Sequence, residues 1–139
     1  MIKWIFLLFC LHYSINAYAL YDWKVLRVVD GDTVEVEAKW LPSELGDKIK
    51  VRIYGVDTPE KPPRAQCKAE STKAKIATEH TKKFISKGKQ ISIEIKSWDK
   101  YGGRVLGDII VDNKSLRQSL IESQFAKQYF GEAKQSWCN

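Results

Sequence analysis

The chain has 139 residues, 23 Lys and Arg against 17 Asp and Glu, and a net charge of +6. That length holds one ordinary domain with a modest single core and leaves no room for two. The moderate basic excess permits a polyanionic partner without requiring one, because surplus lysine also solvates an ordinary surface.

Met1-Ile2-Lys3 precedes an almost wholly apolar run from Trp4 to Leu11, and Ala17-Tyr18-Ala19 puts small residues at both positions a signal peptidase reads. Residues 1–19 are therefore expected to be a secretory signal, with residues 20–139 as the domain and a mature protein secreted or periplasmic. The apolar run is shorter than the roughly 20 residues of a bilayer-spanning helix, so no membrane is expected in the mature form. Phe9 stands where a small residue should precede a lipidated cysteine, which argues against Cys10 as an anchor. Loss of Lys3 leaves 22 basic against 17 acidic residues, a charge of +5. Cys67 and Cys138 remain, either bridged across the chain or as two free thiols in a compartment that allows disulfides. With His12 removed only His80 is left, too little for a structural zinc site.

From Trp23 onward short β-branched runs alternate with turn residues, the rhythm of a small β-barrel. Trp23 to Val29 and Thr33 to Ala38 read as strands about the turn Asp30-Gly31-Asp32. Residues 39–48 read as a surface loop and Ile49 to Val56 as a third strand, completing a meander. Over Lys68 to Lys87 the period changes: Ala69, Lys73, Ile76, Ala77, His80 and Phe84 recur at helical steps, and Gly88 is the stop. Gln90 to Lys96 and Arg104 to Val111 supply two more strands. Ser115, three residues before Gln118, reads as a capping box for a short helix with Leu116, Leu120 and Ile121 on its apolar face. Beyond Phe130 no period is visible. Three strands, helix, two strands, helix suits a five-stranded barrel with helices packed on it, an α+β fold.

The chemistry concentrates at strand ends. Asp57-Thr58-Pro59-Glu60 follows a buried strand, and Pro59 fixes its own φ and keeps Thr58 extended, so the two carboxylates hold a set relation. Asp32 comes near them if the first three strands form a meander. Two aspartates, a backbone carbonyl and water suit a hard cation such as calcium; each motif taken alone is more often turn chemistry than metal chemistry. Arg52, on a strand amid Val51, Ile53 and Val56, either finds an anion or extends to solvent. Arg104 follows Tyr101-Gly102-Gly103 and is either a phosphate fork or a solvated loop charge. Two guanidiniums can neutralise charge that builds on phosphorus while Glu60 takes a proton from attacking water.

Val29-Asp30-Gly31-Asp32-Thr33-Val34, Arg52 five positions before Asp57-Thr58-Pro59-Glu60, and Asp99-Lys100-Tyr101-Gly102-Gly103-Arg104 together resemble the staphylococcal nuclease (thermonuclease) family over roughly residues 23–130. The resemblance implies a five-stranded OB-fold, one calcium ion, and an endonuclease that hydrolyses DNA and RNA to 3'-phosphate ends. It implies Asp32 and Asp57 as calcium ligands through carboxylates and Thr58 through its carbonyl, with Asp30 just outside. Arg52, Glu60 and Arg104 match the catalytic positions, and Lys100 and Tyr101 fall beside a bound nucleotide's phosphate or base. Tyr129 and Phe130 lie near an aromatic platform that stacks bases without selecting them; their other reading is barrel closure.

The sequence departs from the family pattern in four places. A second glycine stands between Tyr101 and Arg104, either a bulge that restores the aim of Arg104 or a shift of it. Gln124 occupies the position of a helix-ending glycine. The 39–48 loop is longer, and the tail is shorter, with Cys138 offering a tie to Cys67 in place of a third helix. The expected protein is an exported, monomeric enzyme whose partners are its DNA and RNA substrates; the alternative is a nucleic-acid-binding module on the same barrel without catalysis.

Overall fold

The computed structural model describes residues 24–139; the expected signal at 1–19 and the expected strand start at Trp23 lie outside the described residues. Strands β1 (Val25–Asp30), β2 (Thr33–Glu37) and β3 (Lys48–Ile53) form the antiparallel meander. The expected third strand does not run through to Val56. Gly55 adopts φ +76°, and a Cβ there would stand 2.8 Å from the Phe130 ring, so the chain bends at Tyr54-Gly55. It re-emerges as β4 (Val56–Asp57), which leaves the main sheet and pairs with β8 (Lys127–Gln128), Asp57 opposite Lys127. That bend carries the first acidic residue of the Asp-Thr-Pro-Glu motif away from the sheet.

Helix α1 (Lys68–Ser86) follows, then β5 (Ile91–Trp98) and β6 (Arg104–Val111), an antiparallel pair. β6 also lies parallel to β3, giving the order β1-β2-β3-β6-β5. Asp112 and Asn113, both at positive φ (49° and 63°), turn the chain into β7 (Lys114–Ser115), which pairs back on β6. Short polar side chains tolerate that left-handed conformation best after glycine. The five expected strands are thus joined by three two-residue strands whose pairing has no sequence period to reveal it. The 39–48 loop contains one 3-10 turn, Ser43–Leu45, and gives way to β3 at Lys48. Helix α2 (Leu116–Glu122) starts on Ser115, whose Oγ accepts the Gln118 N–H at 3.0 Å. The Gln118 side chain turns outward to Glu122 instead of closing the capping box.

Alternate residues of the central strands, Val34 and Val36, Val51 and Ile53, Val105 and Ile109, are buried with Leu116 and Leu120 of α2 in one apolar core. Each such side chain contributes roughly 1.5–3 kcal/mol by leaving water. The fold is an OB-fold-like α+β domain, as expected.

Two details differ from expectation. The inward face of α1 is Glu70, Ala74, Ala77, Thr78, Thr81 and Ile85, whereas Ile76 is 49% exposed. The face is rotated because polar residues on it are satisfied internally: Thr78 Oγ1 donates to Ala74 O, Thr81 Oγ1 to Gly31 O, and the Glu70 carboxylate accepts two backbone N–H groups. A hydrophobicity period cannot register such residues as core. In β5 the Ile91-Ile93-Ile95 alternation also fails at its end, with Ile95 46% exposed beside a register shift between Ile95 and Ser97. No helix among the described residues is long and apolar enough to cross a membrane.

Candidate active site

The site is assembled from strand ends. The β1–β2 hairpin carries Asp30 and Asp32, and its Gly31 lies so close to α1 that a Cβ would meet Ala77 Cβ at 2.9 Å. β3 contributes Arg52, paired in the sheet with Thr33 on one side and Leu106 on the other. The segment after β4 brings Thr58 and Glu60, the β5–β6 hairpin Asp99 to Arg104, and the segment after β8 Tyr129 and Phe130. These line a cleft of about 510 Å³. A second cleft of about 590 Å³ holds Asp57, and Glu60, Arg64 and Lys134 form the wall common to both.

Arg52 is the centre of the arrangement. Its Nη2 lies 3.3 Å from Asp32 Oδ2 and 3.9 Å from Asp57 Oδ1, while Nη1 donates to Val56 O at 3.2 Å. With 14% of its side chain exposed, it has found anions, the first of its two sequence readings. Asp32 Oδ2 also accepts the Thr58 N–H at 3.2 Å, and Oδ1 accepts Thr33 Oγ1. Burial pushes the Asp32 carboxyl up to about 6; Arg52 pulls it down and the neighbouring Asp30 carboxylate up again. Asp30 closes the hairpin by accepting the Asp32 N–H at 3.3 Å.

Asp57 is 4% exposed. Its Oδ2 accepts Trp137 Nε1 at 3.3 Å. Lys134 Nζ comes within 2.6 Å of Oδ1 but outside hydrogen-bond alignment, so this buried oxygen makes an ionic contact and no hydrogen bond. A buried carboxylate oxygen without a hydrogen bond, beside Asp32 on the same guanidinium, is the donor chemistry a hard cation takes. Among the described residues no three Asp, Glu, His or Cys gather into a metal-holding group. A cation here would lean on Asp32 and Asp57 and complete its shell with the Thr58 carbonyl and water.

Glu60 is ion-paired with Arg64 Nη2 at 3.0 Å and Lys134 Nζ at 3.2 Å. Its backbone N–H donates to the buried Glu70 carboxylate at 3.1 Å, which ties the Glu60 loop to the first turn of α1. Arg104 lines the cleft with its Nε on Asp99 Oδ2. Burial raises the Asp99 carboxyl, but the Arg104 hydrogen bond, the Tyr101 N–H and two guanidinium charges outweigh it and hold it low. The added glycine is absorbed in the hairpin: Gly102 and Gly103 both take positive φ (71° and 68°), and Asp99 N donates to Arg104 O at 3.0 Å. The β5–β6 ladder therefore closes normally, and Arg104 keeps its place on the cleft wall.

Lys100 and Tyr101 stand at the rim, Lys100 Nζ 4.9 Å from the Tyr101 ring centroid and Tyr101 79% exposed. Tyr129 and Phe130 also line the cleft; Phe130 packs on Tyr54 at 5.6 Å between centroids yet remains 59% exposed. Trp98, 59% exposed, joins them, unanticipated because it lies in a strand end among polar residues. Arg64, Glu70, Lys134 and Trp137 are likewise not singled out by the sequence, and Asp99 enters there only as part of the Asp99-to-Arg104 motif, without a role. Only Arg64, four residues after Glu60, carried a local signal.

Cys67 and Cys138 are joined by a disulfide with Cα atoms 5.9 Å apart. Lys73 Nζ donates to Trp137 O at 2.9 Å and Lys127 Nζ to Ser136 O at 2.7 Å, so the tail is fixed against α1 and β8.

Residues 50–137 match the model of the family described as Staphylococcal nuclease homologue. Endonuclease YncB of Bacillus subtilis (strain 168) is 30% identical over 118 residues, 83% of this chain and 51% of that protein. An uncharacterized endonuclease of Escherichia coli is 26% identical over 107 residues, 76% of this chain and 60% of that protein. The chain thus spans 51–60% of the length of these relatives. With the strand-end carboxylates and arginines in place on an OB-fold and the family model matching from β3 to the tail, this chain belongs to the staphylococcal nuclease homologue family.

Proposed function

We propose that this chain is an exported, calcium-dependent endonuclease that hydrolyses phosphodiester bonds of DNA and RNA to leave 3'-phosphate ends, working as a monomer without a membrane. The observation that carries the reading is Arg52 Nη2 placed 3.3 Å from Asp32 and 3.9 Å from Asp57, on a cleft that also receives Glu60 and Arg104. Cation-ligand carboxylates and phosphate-binding guanidiniums side by side are what a phosphodiester requires.

Asp32, Asp57 and the Thr58 carbonyl would hold calcium, and the ion when bound would supply positive charge to the scissile phosphate. Arg52 and Arg104 bind the non-bridging oxygens and neutralise the charge that grows on phosphorus. Glu60 takes a proton from the attacking water. The water oxygen bonds to phosphorus, the bond to the 5'-oxygen breaks, and that oxygen takes a proton from solvent water and leaves as the 5'-hydroxyl. Lys100, Tyr101, Tyr129 and Phe130 hold flanking nucleotides by charge and by stacking, which is indifferent to base identity. Export is supported by the Cys67–Cys138 bridge, a linkage that persists in oxidising compartments.

The test is incubation of the full chain with single-stranded DNA and with RNA, in calcium and then in chelator. Cleavage with 3'-phosphate ends that stops on chelation is expected. Tight binding of either polymer without cleavage in calcium would instead identify a non-catalytic binding module. Fractionation of expressing cells tests export: the processed chain belongs outside the cytoplasm.

A further inference from the structure

Lys134 reaches the site from the segment between β8 and the disulfide, 74 residues from Glu60 in sequence. That segment is pinned at both ends, by β8 on β4 and by Trp137 and Cys138 on Asp57 and Cys67. Gly131, at φ +109°, lets it arch over the carboxylates. The Lys134 ammonium lies 2.6 Å from Asp57 Oδ1 and 3.2 Å from Glu60 Oε1. Among the described cations at the site, it alone touches both an expected calcium ligand and the expected base.

A calcium ion takes carboxylate oxygens at about 2.3–2.6 Å. An ammonium and a divalent ion on the same Asp57 oxygen would repel each other at such separations. We infer that Lys134 is a built-in competitor for the cation site: it neutralises Asp57 and Glu60 until calcium displaces it, and so sets how much calcium the site needs. This rests on the calcium reading above. Displacement has a second consequence, because the same movement uncouples the ammonium from Glu60 and leaves the base paired with Arg64 alone. Cation binding and freeing of the base are one event. The Lys134 side chain is 46% exposed, so its hold is that of a partly solvated ion pair, and the competition amounts to a factor of about three to ten.

The measurement is calorimetric titration of calcium alone into the oxidised full chain and into Lys134→Met and Lys134→Arg. Lys134→Met, which keeps the length and removes the charge, is expected to bind calcium about three- to tenfold more tightly, while Lys134→Arg stays near the parent. A Lys134→Met affinity equal to or weaker than the parent's, in a protein that still binds calcium, overturns the inference and leaves the calcium reading intact. No calcium binding by parent or variants overturns both. Thermal unfolding guards against a folding artefact: without calcium Lys134→Met is expected to melt lower than the parent, and calcium is expected to raise its midpoint more. A smaller calcium-induced rise than in the parent counts against competition.

Discussion

Arg52 and Arg104 are both guanidiniums on the cleft wall, yet they are held in opposite ways. Arg52 is enclosed by Asp32, Asp57 and the Val56 carbonyl, so its removal takes the paired guanidinium from the buried Asp32 carboxylate, while Asp57 keeps Lys134. Arg104 is held by one carboxylate, Asp99, and a third of its side chain is exposed. Asp99 reaches the proposed chemistry through Arg104 and through the Tyr101 N–H of the same hairpin. In Asp99→Asn the nuclease rate is expected to fall about tenfold, the loss of one charge-assisted hydrogen bond, with little change in calcium affinity measured by titration; a parallel loss of calcium binding would place Asp99 at the cation instead. Glu60→Gln is expected to lower turnover by about 100- to 10,000-fold, the range of a positioned base, and to leave calcium and nucleotide binding in place. Single-turnover rates beside equilibrium binding separate the two, and an unchanged rate would remove Glu60 from the proton transfer.

At the scale of elements, the end of α2 shows a residue bearing a conformation better suited to another. Gln124 takes φ +59°, with Phe125 N and Ala126 N both donating to Leu120 O, a helix stop that glycine adopts without strain. Gln124→Gly is expected to stabilise the fold by up to about 1 kcal/mol, the steric relief being partly offset by unfolded-state entropy, and urea unfolding would read it as a higher midpoint at constant slope. The packing of α1 on α2 carries a pH dependence. His80 Nε2 lies 2.9 Å from Ser119 Oγ, between the Phe84 and Phe125 rings, and burial lowers its pKa below 6.5. Because the folded chain takes up the proton less readily than the unfolded one, stability is complete above 6.5 and declines as pH falls through the lowered value. His80→Gln is expected to flatten that part of the stability profile. An unchanged slope between pH 7 and 5 would mean that other groups dominate it.

Across the whole molecule, the disulfide closes a separation of 71 residues and fixes the tail that supplies Trp137 and Lys134. Disulfides are typically worth about 2–4 kcal/mol, and loop-closure entropy over that length puts this bridge at the upper end. Cys138→Ser is expected to lose that much in denaturant unfolding. A loss of a few tenths would show that Trp137, Lys73 and Lys127 fix the tail without it. The whole-molecule scale is also where sequence and structure part. Turn residues, strand periods and the Pro59 spacer are local, so the five strands and both helices could be read in order along the chain, while Asp32, Arg52, Asp57, Glu60 and Arg104 stand out only through the family resemblance of their joint order. The inner face of α1 could not, because Glu70 and Thr81 are buried by hydrogen bonds to distant backbone. Nor could the bend at Gly55, which exists to clear Phe130. The sequence by itself determined which chemical groups stand at the strand ends, since backbone period and turn stereochemistry act over a few residues. Only the tertiary structure decided what each faces across the fold: Arg52 on Asp32, Lys134 on Asp57 and Glu60. Ion pairs between residues far apart in sequence depend on sheet register and burial, which no local pattern encodes.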